Sequence, residues 1–177
     1  MNLYFIAIIP PEDIRLEIQH LKDEMRDRFG AEHALKLPAH ITLIPPFKLK
    51  EERELQLLQS LEEFSATEKP FHLWLSGFGN FAPRVLFVKV VEKEKVRDLH
   101  QNLCENLSAI QDIPKDEDYH PHVTIANRDL KEELFPAARE YLSNNDYETR
   151  FEVRQFSLLK HNSREWEIFM DFDFKKS

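Results

Sequence analysis

The chain repeats itself once. An offset of 82 positions aligns Phe5 with Phe87, Ile8 with Val90, Ile14 with Val96 and Leu21 with Leu103. The same offset aligns His40 with His122 and Thr42 with Thr124. A single duplication of this length constrains the architecture strongly. Both halves must build the same unit and bury equivalent faces, so two lobes related by a pseudo-twofold axis are expected. Past the second motif the register drifts, and Phe71 matches Phe151 best at an offset of 80. The halves run from 1 to about 82 and from about 83 to 177, together forming one domain, which suits this length.

Each half reads as βαβαβ. Leu3 to Ile9 is β-branched and aromatic and stops at Pro10-Pro11, which predicts a buried strand. Ile14, Ile18, Leu21, Met25 and Phe29 recur at helical spacing, which predicts an amphipathic helix over 12–29. A strand over 37–44, ended by Pro45-Pro46, a helix over 51–64 and a strand over 71–75 complete the first half. The second half predicts a strand over 85–91, a helix over 93–110, a strand over 119–126 and a helix over 130–142 containing Pro136. Two long strands, 149–160 and 165–174, follow. The stretch 77–83 is expected to join the halves.

The chemistry sits in two triplets, His40-Ile41-Thr42 and His122-Val123-Thr124. Eight His and four Thr among 177 residues give only about 0.2 such triplets by chance. Two occur, at equivalent places of the repeat. In a strand, residues i and i+2 share a face, so each triplet presents an imidazole and a hydroxyl on one side and apolar residues on the other. A pseudo-twofold axis would set the two polar faces around one cleft. One neutral imidazole can then act as general base and the other, protonated, as general acid. The threonine hydroxyls can hold non-bridging phosphate oxygens in place. Phosphoester chemistry with no metal and no cofactor is the expectation. His40, His120 and His122 would be a permitted zinc set, but two of them would come from alternate positions of one strand, and no nearby carboxylate is expected to supply a clear supporting shell.

The motifs His40-Ile41-Thr42-Leu43 and Pro121-His122-Val123-Thr124-Ile125, in a duplicated chain of this length, resemble the 2H phosphoesterase superfamily. Within it they are most similar to the bacterial 2′-5′ RNA ligase and RNA 2′,3′-cyclic phosphodiesterase-like group. The resemblance implies an α+β, bilobal fold in which antiparallel sheets form a central cleft and helices lie outside. It implies that His40, Thr42, His122 and Thr124 are catalytic. The implied reaction is metal-free hydrolysis of a 2′,3′-cyclic phosphate, on a nucleotide or an RNA 3′ end, to a 2′-phosphate. Some relatives join RNA ends instead, and a non-enzymatic nucleotide- or RNA-binding domain would keep the same fold. Many relatives carry a basic residue shortly after the second motif. Here Ala126-Asn127 follow Ile125, and Arg128 comes one position later.

Composition narrows the ligand. The net charge of −8 is shared equally, with 9 basic and 13 acidic side chains over 1–82 and 15 and 19 over 83–177. Long duplex nucleic acid suits such a surface poorly, because its affinity comes mostly from phosphate neutralisation. A small cyclic-phosphate nucleotide or an RNA end needs only a local basic pocket. Three glycines leave no room for a glycine-rich phosphate loop. The single cysteine, Cys104, falls in a helical apolar stripe and reads as core. No apolar run reaches membrane-spanning length, so a cytoplasmic monomer without membrane contact is expected. Phe47 and Tyr119 flank the motifs and could stack on a base. His120, Lys48 and Arg128 are further substrate-binding candidates. His20, His33, His72 and His100 are expected at element surfaces, and His161 in a turn.

Overall fold

The computed structural model describes residues 1–110 and 118–175. Eight strands form one antiparallel sheet in the order β6-β3-β4-β5-β2-β1-β7-β8. They are β1 (Asn2–Ile8), β2 (Ile41–Leu49), β3 (Phe71–Phe81), β4 (Val85–Val90), β5 (His122–Ala126), β6 (Glu148–Val153), β7 (Gln155–His161) and β8 (Trp166–Asp173). The helices are α1 (Glu12–Phe29), α2 (Glu54–Ser65), α3 (Lys93–Leu107) and α4 (Phe135–Ser143). This is the expected α+β architecture.

The sheet buries two faces differently. Along β1, Tyr4, Ile6 and Ile8 point into the main core under the helices, while Phe5 and Ala7 join a smaller cluster with Leu159 on the opposite face. The period-2 alternation of one strand therefore serves a thick helix-covered core and a thin floor. α1 packs on β5 and α3 packs on β2, so the first helix of each repeat covers the second strand of the other. That exchange ties the two repeats together.

Several boundaries differ from the sequence expectation. The expected single strand over 149–160 breaks at Arg154. β6 pairs with β3 near one edge of the sheet, whereas β7 pairs with β1 on the far side. Each half of the sheet thus takes strands from both halves of the sequence. β3 runs on to Phe81, past Gly77, whose φ of +65° accommodates a bulge where Leu75 pairs with Val90 and Phe78 with Val88. β2 starts four residues late, after a 3-10 turn at His33–Lys36, and passes straight through Pro45-Pro46. Prolines are tolerated there because β5 pairs with β2 only at Ile41↔Val123, leaving the edge beyond open among the described residues. The shift between Tyr4 and Ile6 on β1 absorbs the irregularity on the other edge. The helix expected over 130–142 is a short 3-10 turn followed by α4, with Pro136 in the first turn, where its missing N–H costs nothing. Among the described residues no helix is long and apolar enough to cross a membrane.

Candidate active site

The two halves of the sheet meet at one residue pair, Ile41↔Val123, both fully buried on the helix side. The residues on either side of this pair therefore face the opposite surface. In antiparallel register His40 lies across from Thr124, and Thr42 across from His122. The seam of the sheet thus gathers two imidazoles and two hydroxyls in a diagonal arrangement.

Both imidazoles are held in the same way. His40 Nδ1 lies 2.8 Å from the Pro38 carbonyl oxygen, and His122 Nδ1 lies 2.6 Å from that of His120. A carbonyl can only accept, so each Nδ1 carries the proton and donates. Nε2 is left on each ring as the nitrogen available for chemistry. The rings rest on equivalent aromatics from the first strand of each repeat. Phe5 lies 5.4 Å from His40, and Phe87 lies 4.9 Å from His122, centroid to centroid. Burial pushes His40 down from 6.5 to about 4, aided by the nearby charges of Lys22 and His122 and opposed by the Pro38 carbonyl. Burial also lowers His122, against the pull of the His120 carbonyl.

A cavity of about 700 Å³ opens on this seam, lined by His40, Thr42 and Thr124. His122 lies outside its lining, with Phe81 and Phe87 packed around its ring. The cavity is basic in an acidic protein. Lys22, Lys36, Arg128 and Arg164 line it, with Glu165 the single acidic side chain among the lining residues. Folding thus assembles the local positive pocket that the even net charge left open.

The other sequence candidates separate. Arg128 lines the cavity, from a left-handed backbone position with φ of 53°. Phe47 is buried at 7% exposure against Tyr4 and faces the core. Lys48 is exposed and does not line the cavity. Tyr119 stacks on His100 at 3.9 Å, and its hydroxyl donates to the Thr42 carbonyl at 2.8 Å, so it braces β2. His120 Nε2 accepts from Lys93 Nζ at 2.7 Å, and its ring meets Phe81 edge-on. Among the described residues no three His, Cys, Asp or Glu side chains gather as a metal-holding group. Cys104 is buried, as expected of a core residue.

Two expectations are corrected. His100 is buried rather than at a surface, because its Nδ1 donates to the Leu43 carbonyl at 2.7 Å. His33 lines the cavity, because the 3-10 turn before β2 folds over it. That turn is anchored by Asp129, whose carboxylate accepts from the Glu32 and His33 amides at 2.9 and 2.8 Å. His161 ends β7 and lines the cavity beside Trp166. The sequence reading passed over Lys22, although a signal was present. Position 22 falls four after Ile18 and three before Met25, inside the apolar stripe of α1.

Fold and sequence together place the chain in the 2H phosphoesterase class. A family model described as the 2′-5′ RNA ligase superfamily matches residues 10–165, and the chain belongs to that superfamily. A candidate phosphoesterase of Geobacillus kaustophilus is 28% identical over 172 residues, covering 96% of this chain and 94% of the relative. One from Bacillus licheniformis is 29% identical over 127 residues, 71% of this chain and 70% of its own. Among solved structures, E. coli LigT complexed with 3′-AMP superposes with a TM-score of 0.74 at 17% identity, covering 99% of both chains. TT0787 of Thermus thermophilus superposes with a TM-score of 0.71 at 20% identity over the full length of both.

Proposed function

We propose that this protein is a metal-independent phosphodiesterase that hydrolyses 2′,3′-cyclic phosphates to 2′-phosphates. The observation that carries this reading is the seam. Two His-x-Thr pairs flank the single β2–β5 pair, and both imidazoles have Nδ1 committed to a backbone carbonyl. One histidine Nε2 takes a proton from water as its oxygen attacks phosphorus. The bond from phosphorus to the 3′ oxygen breaks, and the other histidine delivers its Nε2 proton to that oxygen. Thr42 and Thr124 donate to the non-bridging oxygens, where charge accumulates in the transition state. The substrate is a small nucleotide or an RNA end. E. coli LigT has been crystallised with 3′-AMP, ATP and NADP+, ligands of this size and charge.

Nucleoside 2′,3′-cyclic phosphates incubated with the protein in excess chelator should yield nucleoside 2′-phosphates, identified by chromatography against both isomers. A 3′-phosphate product, or loss of turnover on chelation, overturns the mechanism.

The pH dependence follows from the site. The reaction needs one histidine charged and one neutral. Burial lowers both in the free protein, His40 to about 4 and His122 below 6.5. Below about 4 both rings are charged and no base remains. Above the ordinary histidine range both are neutral and no acid remains. The bell in kcat/KM, which reports the free protein, should therefore peak on the acid side of neutrality, between about 4 and 6.5. A maximum above neutrality contradicts this assignment.

A further inference from the structure

Lys22 is among the most completely buried side chains of the protein, at 1% exposure, yet it lines the cavity beside His40, Thr42 and Thr124. It comes from the middle of α1, the helix that crosses from the first repeat to cover β5. Its ammonium donates a hydrogen bond to the Leu37 carbonyl at 2.8 Å. An ammonium has three donors and a full charge. Among the described residues no carboxylate forms an ion pair with it. Burial draws it from 10.5 to about 8, so it is still mostly charged at neutral pH. A buried cation without a counter-charge is disfavoured in an empty site. The bond to a carbonyl does not explain its presence, since a neutral donor would serve as well.

The repeat sharpens the contrast. The position equivalent to Lys22 is Cys104, a small buried residue beside His100. The charge therefore belongs to the His40 side of the site alone. It is also the most deeply buried of the four Lys and Arg side chains around the cavity. Lys36, Arg128 and Arg164 lie further out.

We propose that Lys22 is the anion-binding cation of this cleft, its ammonium donating to a non-bridging oxygen of the phosphoryl group that His40, Thr42 and Thr124 surround. The proposal rests on the phosphoryl site described above and adds a residue from outside both motifs. The bound anion supplies the counter-charge that the protein does not. Lys22 acts as a binding residue and transfers no proton.

The test titrates inorganic phosphate into the full chain by calorimetry at neutral pH. Wild type, Lys22→Met, Lys22→Gln and Lys48→Gln are compared, each with its thermal midpoint. Lys22→Gln can keep the bond to Leu37 while removing the charge, so it covers the case in which Lys22→Met fails to fold. Both Lys22 variants are expected to bind phosphate at least about tenfold more weakly than wild type, the size of a lost charge-assisted hydrogen bond. Lys48→Gln, exposed outside the cavity, should match wild type. The unliganded midpoint of Lys22→Met should hold or rise, because a buried charge has been removed. Wild-type affinity in Lys22→Gln overturns the proposal, and so does absence of phosphate binding by wild type at millimolar concentration. A parallel assay on 2′,3′-cyclic nucleotides separates the two readings. Lys22-dependent phosphate binding without hydrolysis sinks the proposed activity and leaves the anion site standing.

Discussion

Replacing either His40 or His122 with alanine should abolish nearly all cyclic phosphodiesterase activity, lowering kcat by about 10²–10⁴ per residue. The two losses should not add. Once either partner is gone the concerted proton transfer is broken, so the double variant should be little worse than either single one. The fold should survive, because both rings face the cleft side of the sheet seam, while Ile41 and Val123 carry its buried pairing. Thr42→Ala and Thr124→Ala should cost less, because each removes one donor rather than a proton carrier. Steady-state kinetics with circular dichroism on each variant decides the matter. Turnover at wild-type level in a folded His40→Ala or His122→Ala protein refutes the site.

The second large effect lies away from the motifs. Gly79 pairs across the β3–β4 ladder with Phe87, and the Phe87 ring lies where a Gly79 side chain would stand. A Cβ built there would meet Phe87 Cε2 at 2.5 Å and Cζ at 2.7 Å. The ring cannot retreat freely, because Phe81 packs on it at 4.6 Å and His122 at 4.9 Å. Gly79→Ala should therefore cost about 1–3 kcal/mol through overpacking. It should also lower kcat by shifting the surface on which His122 rests. In the Phe87→Leu background the Gly79→Ala penalty should shrink, because the smaller side chain relieves the contact. That coupling is the signature of direct crowding. A thermal midpoint for Gly79→Ala equal to wild type would show that the ring moves aside without cost.

Gly79 marks the limit of what local sequence conveys. A glycine before a strand hairpin reads as a joint between halves. Only the pairing with Phe87 reveals that its missing side chain makes room for a ring under a catalytic candidate. His100 and His33 were misplaced for a related reason. Each is polar, and its local pattern gave no sign of the partner that holds it. For His100 that partner is the Leu43 carbonyl, 57 positions away in the chain. For His33 it is Asp129, 96 positions away. Lys22 was readable in part, as a charge on the apolar stripe of α1. What it faces depends on α1 crossing to the other repeat's strand.

Short-range periodicity was enough to place α1, α2 and α3 and the strands β1 and β4 close to where the fold has them. It was also enough to put each His-x-Thr pair on one face, because alternation along a strand is a property of backbone geometry. Everything that depends on which strand lies beside which came from the folded chain. The 149–160 segment divides at Arg154 because its two parts gain their hydrogen bonds from strands near opposite edges of the sheet. The strand through Pro45-Pro46 survives because the edge they occupy carries no partner among the described residues. The two motifs meet at one residue pair only once strands of the two repeats lie side by side, and the basic cavity at that seam draws its lining from both halves of the chain. Pairing and burial are long-range, set by which surfaces exclude water from one another, and no local pattern encodes them.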